Sequence, residues 1–184
     1  MNKKTGFTLA EVLITLVIIG IIAAMTVPTL MTNTNSQEYR SALKKSIASL
    51  NQALTMQYAL DGTQITDFST SATNVRDSVM VKRLNVLQTA NTGSFGVSGT
   101  TWTTPVVFYT ADGVKFGINT TSQGTCDADG SNPCFLVYID VNGDKKPNTA
   151  TAAVTKPLDV YSAMMYSQRV IPQGPISQGV MYDQ

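Results

Sequence analysis

The chain has 184 residues, a formal net charge of +1 and no histidine. That length suits one compact domain with an appendage. The missing histidine removes the commonest general base near neutral pH and the commonest transition-metal ligand, and the near-neutral balance excludes a strongly basic nucleic-acid binder.

The first element is apolar. "GFTLAEVLITLVIIGIIAAMTVPTL", from Gly6 to Leu30, carries a single charge, Glu11. A helix from Phe7 to Met25 would span roughly 28 Å at about 1.5 Å per residue, close to one hydrocarbon core. Lys3 and Lys4 precede it, and no basic residue follows before Arg40. The positive-inside rule therefore puts the N-terminus in the cytoplasm and the bulk of the chain outside. A cleaved secretory signal has a shorter apolar core and a small-residue cleavage site, which "IIAAM" imitates. A plain membrane anchor is the other reading, and it leaves Glu11 unexplained, because an unpaired charge in lipid is costly.

The stretch "KKTGFTLAEVLITLVIIGIIAAMTVP" resembles the N-terminus of type IV pilins and type II secretion pseudopilins. The likeness rests on the basic leader, Gly6 before Phe7, Glu11, Gly20 and Pro28. It implies that a prepilin peptidase cuts between Gly6 and Phe7, removing residues 1–6, and methylates Phe7. Residues 7–30 then serve as the transmembrane and filament-core helix. It also implies that Glu11 of one subunit pairs with the Phe7 amine freed on its neighbour. In a low-dielectric core the attraction is large and the desolvation cost is comparable, so such a pair sets register more than it adds stability. The alternative is a Glu11 that snorkels to the headgroups. Pro28 and Gly20 both weaken a helix. The resemblance implies that the segment between them unwinds in a filament, and a simple kink is the alternative. The further partners implied are other copies of the subunit, an inner-membrane assembly platform and a cytoplasmic assembly ATPase.

Beyond the span, Tyr39, Leu43, Ile47, Leu50, Leu54 and Tyr58 recur at helical spacing, and Asp61-Gly62 reads as a stop. The anchor is expected to continue as one helix to about residue 60, amphipathic from about 36. Arg40, Lys44 and Lys45 lie off the stripe and read as a solvated face or a filament contact. "NVRDSVMVKRLNVLQTA", with Val75, Val79, Leu84 and Leu87, predicts a second, shorter helix. "PVVFYTADGVKFGIN" predicts a hairpin: Val106–Thr110 and Val114–Asn119 flank Ala111-Asp112-Gly113. "CFLVYIDVNG" supplies a third strand, about Phe135 to Asp140, and "DVYSAMMYSQRVIPQG" a fourth. The fold class expected is α+β and pilin-like: a long N-terminal helix packed on a small antiparallel sheet. Residues 31–184 form the extracytoplasmic domain, with the sheet at about 105–170. "DVNGDKKPN" and "VIPQG" also resemble the C-terminal region of a subset of pilin-like proteins.

Cys126 and Cys134 bracket "DADGSNP". In an extracytoplasmic domain they are expected to form a disulfide, worth roughly 2.5 kcal/mol of loop-closure entropy. Free thiols are the alternative. A zinc site needs two further ligands, and the wide spacing argues against a redox pair. Asp140, Asn142 and Asp144 alternate like the opening of a calcium loop, with Asn148 further on and Thr151 where an acid usually stands. The resemblance strengthens calcium, since some type II pseudopilins bind it in a C-terminal loop. A turn with solvated aspartates is the alternative, and Asp127 with Asp129 is a weaker candidate. No Gly-x-Ser-x-Gly elbow and no histidine base exist, so catalysis is not expected.

Three functions follow. The first is a structural subunit of a type IV pilus or type II secretion pseudopilus. The second is a minor tip pilin acting as an adhesin or DNA-uptake module, although a single tryptophan, Trp102, and the near-neutral charge weigh against DNA. The third is a single-span membrane protein that does not polymerise.

Overall fold

A computed structural model describes residues 6–68, 71–95, 106–120, 126–146, 148 and 158–182. Two compact units divide the chain, Met1–Gln37 and Glu38–Gln184.

The first unit is helical. The helix that crosses it, α1, runs from Leu9 to Asp61 and is continuous through Gly20 and Pro28. Every large apolar side chain from Phe7 to Met31 is exposed. The helix is long and apolar enough to cross a membrane. Within this stretch the hydroxyls of Thr15, Thr26 and Thr29 donate to carbonyls about one turn earlier, which satisfies them without water.

In the second unit the remainder of α1 lies against a six-stranded antiparallel meander, ordered β1-β2-β3-β4-β5-β6. The strands are β1 (Val86–Ala90), β2 (Val106–Thr110), β3 (Lys115–Thr120), β4 (Phe135–Asp140), β5 (Val160–Met165) and β6 (Val170–Pro172). Leu43, Ile47, Leu50 and Leu54 of α1 are buried in one core with Phe108, Phe116, Ile118, Phe135, Val137 and Ile139 of the sheet. Cross-strand register explains the packing: Phe108 faces Phe116, which faces Ile139, and Ile118 faces Val137. The Phe108 and Phe116 rings stack with centroids 5.0 Å apart. A smaller cluster on Phe95, Val107, Tyr138 and Val160 forms separately from that core.

The expected stripe holds from Leu43 to Leu54 and turns away at Tyr58, which is exposed, while Gln57 is buried. Each four-residue step on a 3.6-residue helix gains about 40°, so by Tyr58 the drift carries the ring off the buried face. Gly62, at φ +67°, ends the helix as expected.

The second predicted helix is only half right. Ser71 caps a helical run that begins at Ala72 and ends at Arg83, with a π turn over Arg76–Met80 in its middle. Val75 and Val79 are buried there. Leu84 is extended, and Val86–Ala90 becomes a strand instead, with Leu87 exposed. Pairing of Val86 with Thr110 and Thr89 with Phe108 overrides the local helical spacing. The tail likewise forms two strands, β5 and β6, where one was expected, followed by a C-terminal helix, Gly174–Tyr182.

Candidate functional site

The N-terminal segment presents Gly6 and Phe7 ahead of the helix, with Phe7 90% exposed. Residues 1–5 of the expected leader lie outside the described residues. Glu11 has a partner within the chain. Its Oε2 accepts the Thr8 backbone N–H at 2.8 Å and the Thr8 hydroxyl at 2.7 Å, and the Glu11 N–H reaches back to the Thr8 hydroxyl at 3.4 Å. This is a reciprocal capping box at the start of α1. Thr8 is a partner of Glu11 that attention to the membrane charge alone passes over, although the Thr-x-x-Glu spacing announces it. Added Cβ atoms at Gly6 and Gly20 would meet nothing within 4 Å.

The disulfide is present: Cys126 and Cys134 are bonded. It closes the loop in which Asp127 accepts from Ser131 and Asn132, and Asp129 from the Ser131 N–H. These are local turn bonds, and they hold Asp129 below the usual carboxylate range through the Ser131 N–H.

The β4–β5 connection divides the expected calcium trio. Asp144 turns to β2 and β3: its Oδ1 lies 2.6 Å from Lys115 Nζ of β3, and its Oδ2 accepts the hydroxyl of Tyr109 of β2 at 2.9 Å. The Lys115 bond holds Asp144 below the usual carboxylate range. Asp140 and Asn142 instead meet Asp159, a residue that no alternation in the loop marks. Asp140 and Asp159 are both buried. Burial, followed by the charge of Asp159, pushes the Asp140 carboxyl up to about 7. Asp159 Oδ2 accepts the Asn148 N–H at 2.6 Å and Asn142 Nδ2 at 3.1 Å. The hairpin register could have found Asp159: Asp140 pairs with Val160, so the Val141 N–H meets the Asp159 carbonyl. Thr151 lies outside the described residues.

The Asn142 and Asn148 side-chain oxygens are both buried without a hydrogen-bond partner. Orphaned buried acceptors are expensive unless a donor or a cation meets them. No cluster of three or more His, Cys, Asp or Glu side chains occurs among the described residues. The oxygens that this loop offers, two carboxylates and two amide oxygens, are hard, a chemistry that suits calcium and does not suit a soft metal.

The family model for the prokaryotic N-terminal methylation motif matches residues 1–27. The chain is similar to the type II secretion system core protein G of Vibrio cholerae, 44% identical over 33% of this chain and 40% of that protein. It is also similar to the proteins of that name in Escherichia coli, with 42% identity, 33% of this chain and 40% of that protein, and Aeromonas hydrophila, with 42%, 33% and 41%. The chain therefore spans about two fifths of the length of these relatives. No solved structure matches it significantly. The motif at Gly6, Phe7 and Glu11, the exposed apolar helix and these likenesses, which cover the N-terminal third, support placing the chain with the type IV pilin and type II secretion pseudopilin family.

Proposed function

We propose that the chain is a structural subunit of a type II secretion pseudopilus. In this reading it is cut after Gly6, methylated at Phe7 and polymerised through α1. Prepilin peptidase, an assembly platform and a cytoplasmic ATPase are its partners. The N-terminus starts in the cytoplasm, and the Glu38–Gln184 unit becomes the extracytoplasmic filament surface.

The observation that carries it is the pairing of an apolar, wholly exposed helix surface with one acid near its start. Such a surface is stable only in lipid or against copies of itself. Likeness to proteins named for secretion favours a pseudopilus over a pilus. Mass spectrometry of protein from the native membrane tests the processing: the mature chain should begin with methylated Phe7. An intact Met1, or cleavage beyond Ala24, rules it out.

The orphaned amide oxygens favour a second element of function. Calcium would be held by Asp140, Asp159 and the side-chain oxygens of Asn142 and Asn148, and would neutralise the two buried carboxylates. It supplies structural charge compensation, not reactivity. Calorimetric titration of chelator-stripped protein tests this, and no heat of binding with calcium overturns it.

A further inference from the structure

The ion loop is tied to α1 by a bond between Asn142 and Tyr39. The Tyr39 ring packs against the main core from the second residue of the Glu38–Gln184 unit. Its hydroxyl oxygen accepts from Asn142 Nδ2 at 3.3 Å across 103 residues of sequence. The same nitrogen faces Asp159 Oδ2 at 3.1 Å and the Lys146 carbonyl at 3.4 Å.

Three oxygens thus surround an amide nitrogen that has two protons to give. Turning the amide over would set Asn142 Oδ1 against a carboxylate and a carbonyl. The nitrogen is therefore held on that side, and Oδ1 is left facing away, buried and unpartnered. Asp159 and Lys146 belong to the β4–β5 region itself, whereas Tyr39 reaches it from the helix.

We propose that Tyr39 is a positioning residue for the ion site: Asp159 and the Lys146 carbonyl fix which way the Asn142 amide faces, and the Tyr39 hydroxyl ties that amide to α1, so that cation binding at Oδ1 is coupled to the first turns of the outer part of α1. This rests on the calcium reading above. Outer-sphere partners of metal ligands commonly change affinity by 10- to 100-fold. A neutral bond of this length falls at or below the low end, about 3- to 10-fold. Linkage then fixes the reverse effect: whatever factor Tyr39 lends to calcium affinity, calcium lends to the hold on Tyr39.

The experiment uses the full mature chain in detergent micelles, stripped with chelator and titrated with calcium. The variant is Tyr39→Phe, which keeps the ring in the core and removes only the hydroxyl. Calcium affinity should fall about 3- to 10-fold, and calcium should slow amide exchange over residues 38–45 in the parent by a similar factor but not in the variant. A merely structural tyrosine would weaken the chelated protein and leave calcium affinity alone. Equal affinity in parent and variant, or the same calcium-dependent protection in both, overturns the role of Tyr39 while the site stands. Failure of the parent to bind calcium overturns the site, and the role of Tyr39 with it.

Discussion

Glu11 and Thr8 hold each other: the carboxylate accepts both the Thr8 N–H and its hydroxyl, while the Glu11 N–H reaches the hydroxyl in return. One acid can thus serve two ends, capping its own helix or meeting a neighbour's amine. The two uses make different demands. Thr8→Ala removes the cap and keeps the charge; Glu11→Gln removes the charge and keeps an acceptor for the cap. If Glu11 acts between subunits, Thr8→Ala cells build filaments at near-normal yield and Glu11→Gln cells build few or none. Sheared-filament yield measures this, and loss in Thr8→Ala with near-normal yield in Glu11→Gln assigns Glu11 to the cap alone.

The pair Asp140 and Asp159 gives a stability test whose sign inverts. Without calcium, two buried carboxylates repel, so Asp140→Asn should melt at a higher temperature than the parent. With calcium at about 100 times its dissociation constant, the parent gains about 2.7 kcal/mol, and the variant gains much less. The order of melting temperatures should therefore reverse on adding the ion. A variant that melts below the parent in both conditions contradicts the ion site.

Much of this arrangement is legible in the sequence where the local and global preferences agree. Asp112-Gly113 between β-rich runs specifies the β2–β3 turn, and Gly113 indeed takes φ +85°. The stripe from Leu43 to Leu54 specifies the buried face of α1, because the helix period and the core make the same demand. β1 is not legible this way. Leu84 and Leu87 continue the spacing of Val75 and Val79, and only the free edge of β2 turns that segment into a strand. The cluster of Asp140, Asn142 and Asp159 is half legible for a related reason. Asp140 and Asn142 stand in one short loop, but Asp159 arrives from across a hairpin, and Asp144 is drawn off by Lys115, a residue of another strand.

Acid should loosen the end of α1. Arg83 lies 2.6 Å from Asp61 Oδ2, and Gln57 bonds both partners. The Arg83 bond holds the Asp61 carboxyl below its ordinary value. A lowered carboxyl contributes stability above its unfolded value, about 3.9, and loses it as pH falls through the folded one. Asp61→Asn should therefore be less stable than the parent at pH 7, with the gap closing as pH drops below about 4. Urea midpoints across that range read the difference. A gap that stays constant to low pH means that the Arg83–Asp61 pair adds nothing to the fold.

Gly143 sits between the loop that holds Asn142 and the β2–β3 turn, and its backbone has no room for a side chain. At φ +72° an added Cβ would lie 2.8 Å from the carbonyl oxygen of Gly113. Both backbone strain and a backbone collision oppose Gly143→Ala, so it should cost about 2–3 kcal/mol in urea unfolding. Gly113→Ala is the matched control. Its φ is +85°, but the added Cβ meets nothing within 4 Å, so only the conformational cost of about 1–2 kcal/mol remains. The Gly143 variant should also bind calcium more weakly, because relief of the collision must shift the residue next to Asn142. The Gly113 variant should bind as the parent does. Equal costs for the two substitutions mean that the turns part without resistance, and the close approach of Gly143 to Gly113 then plays no role in holding the loop.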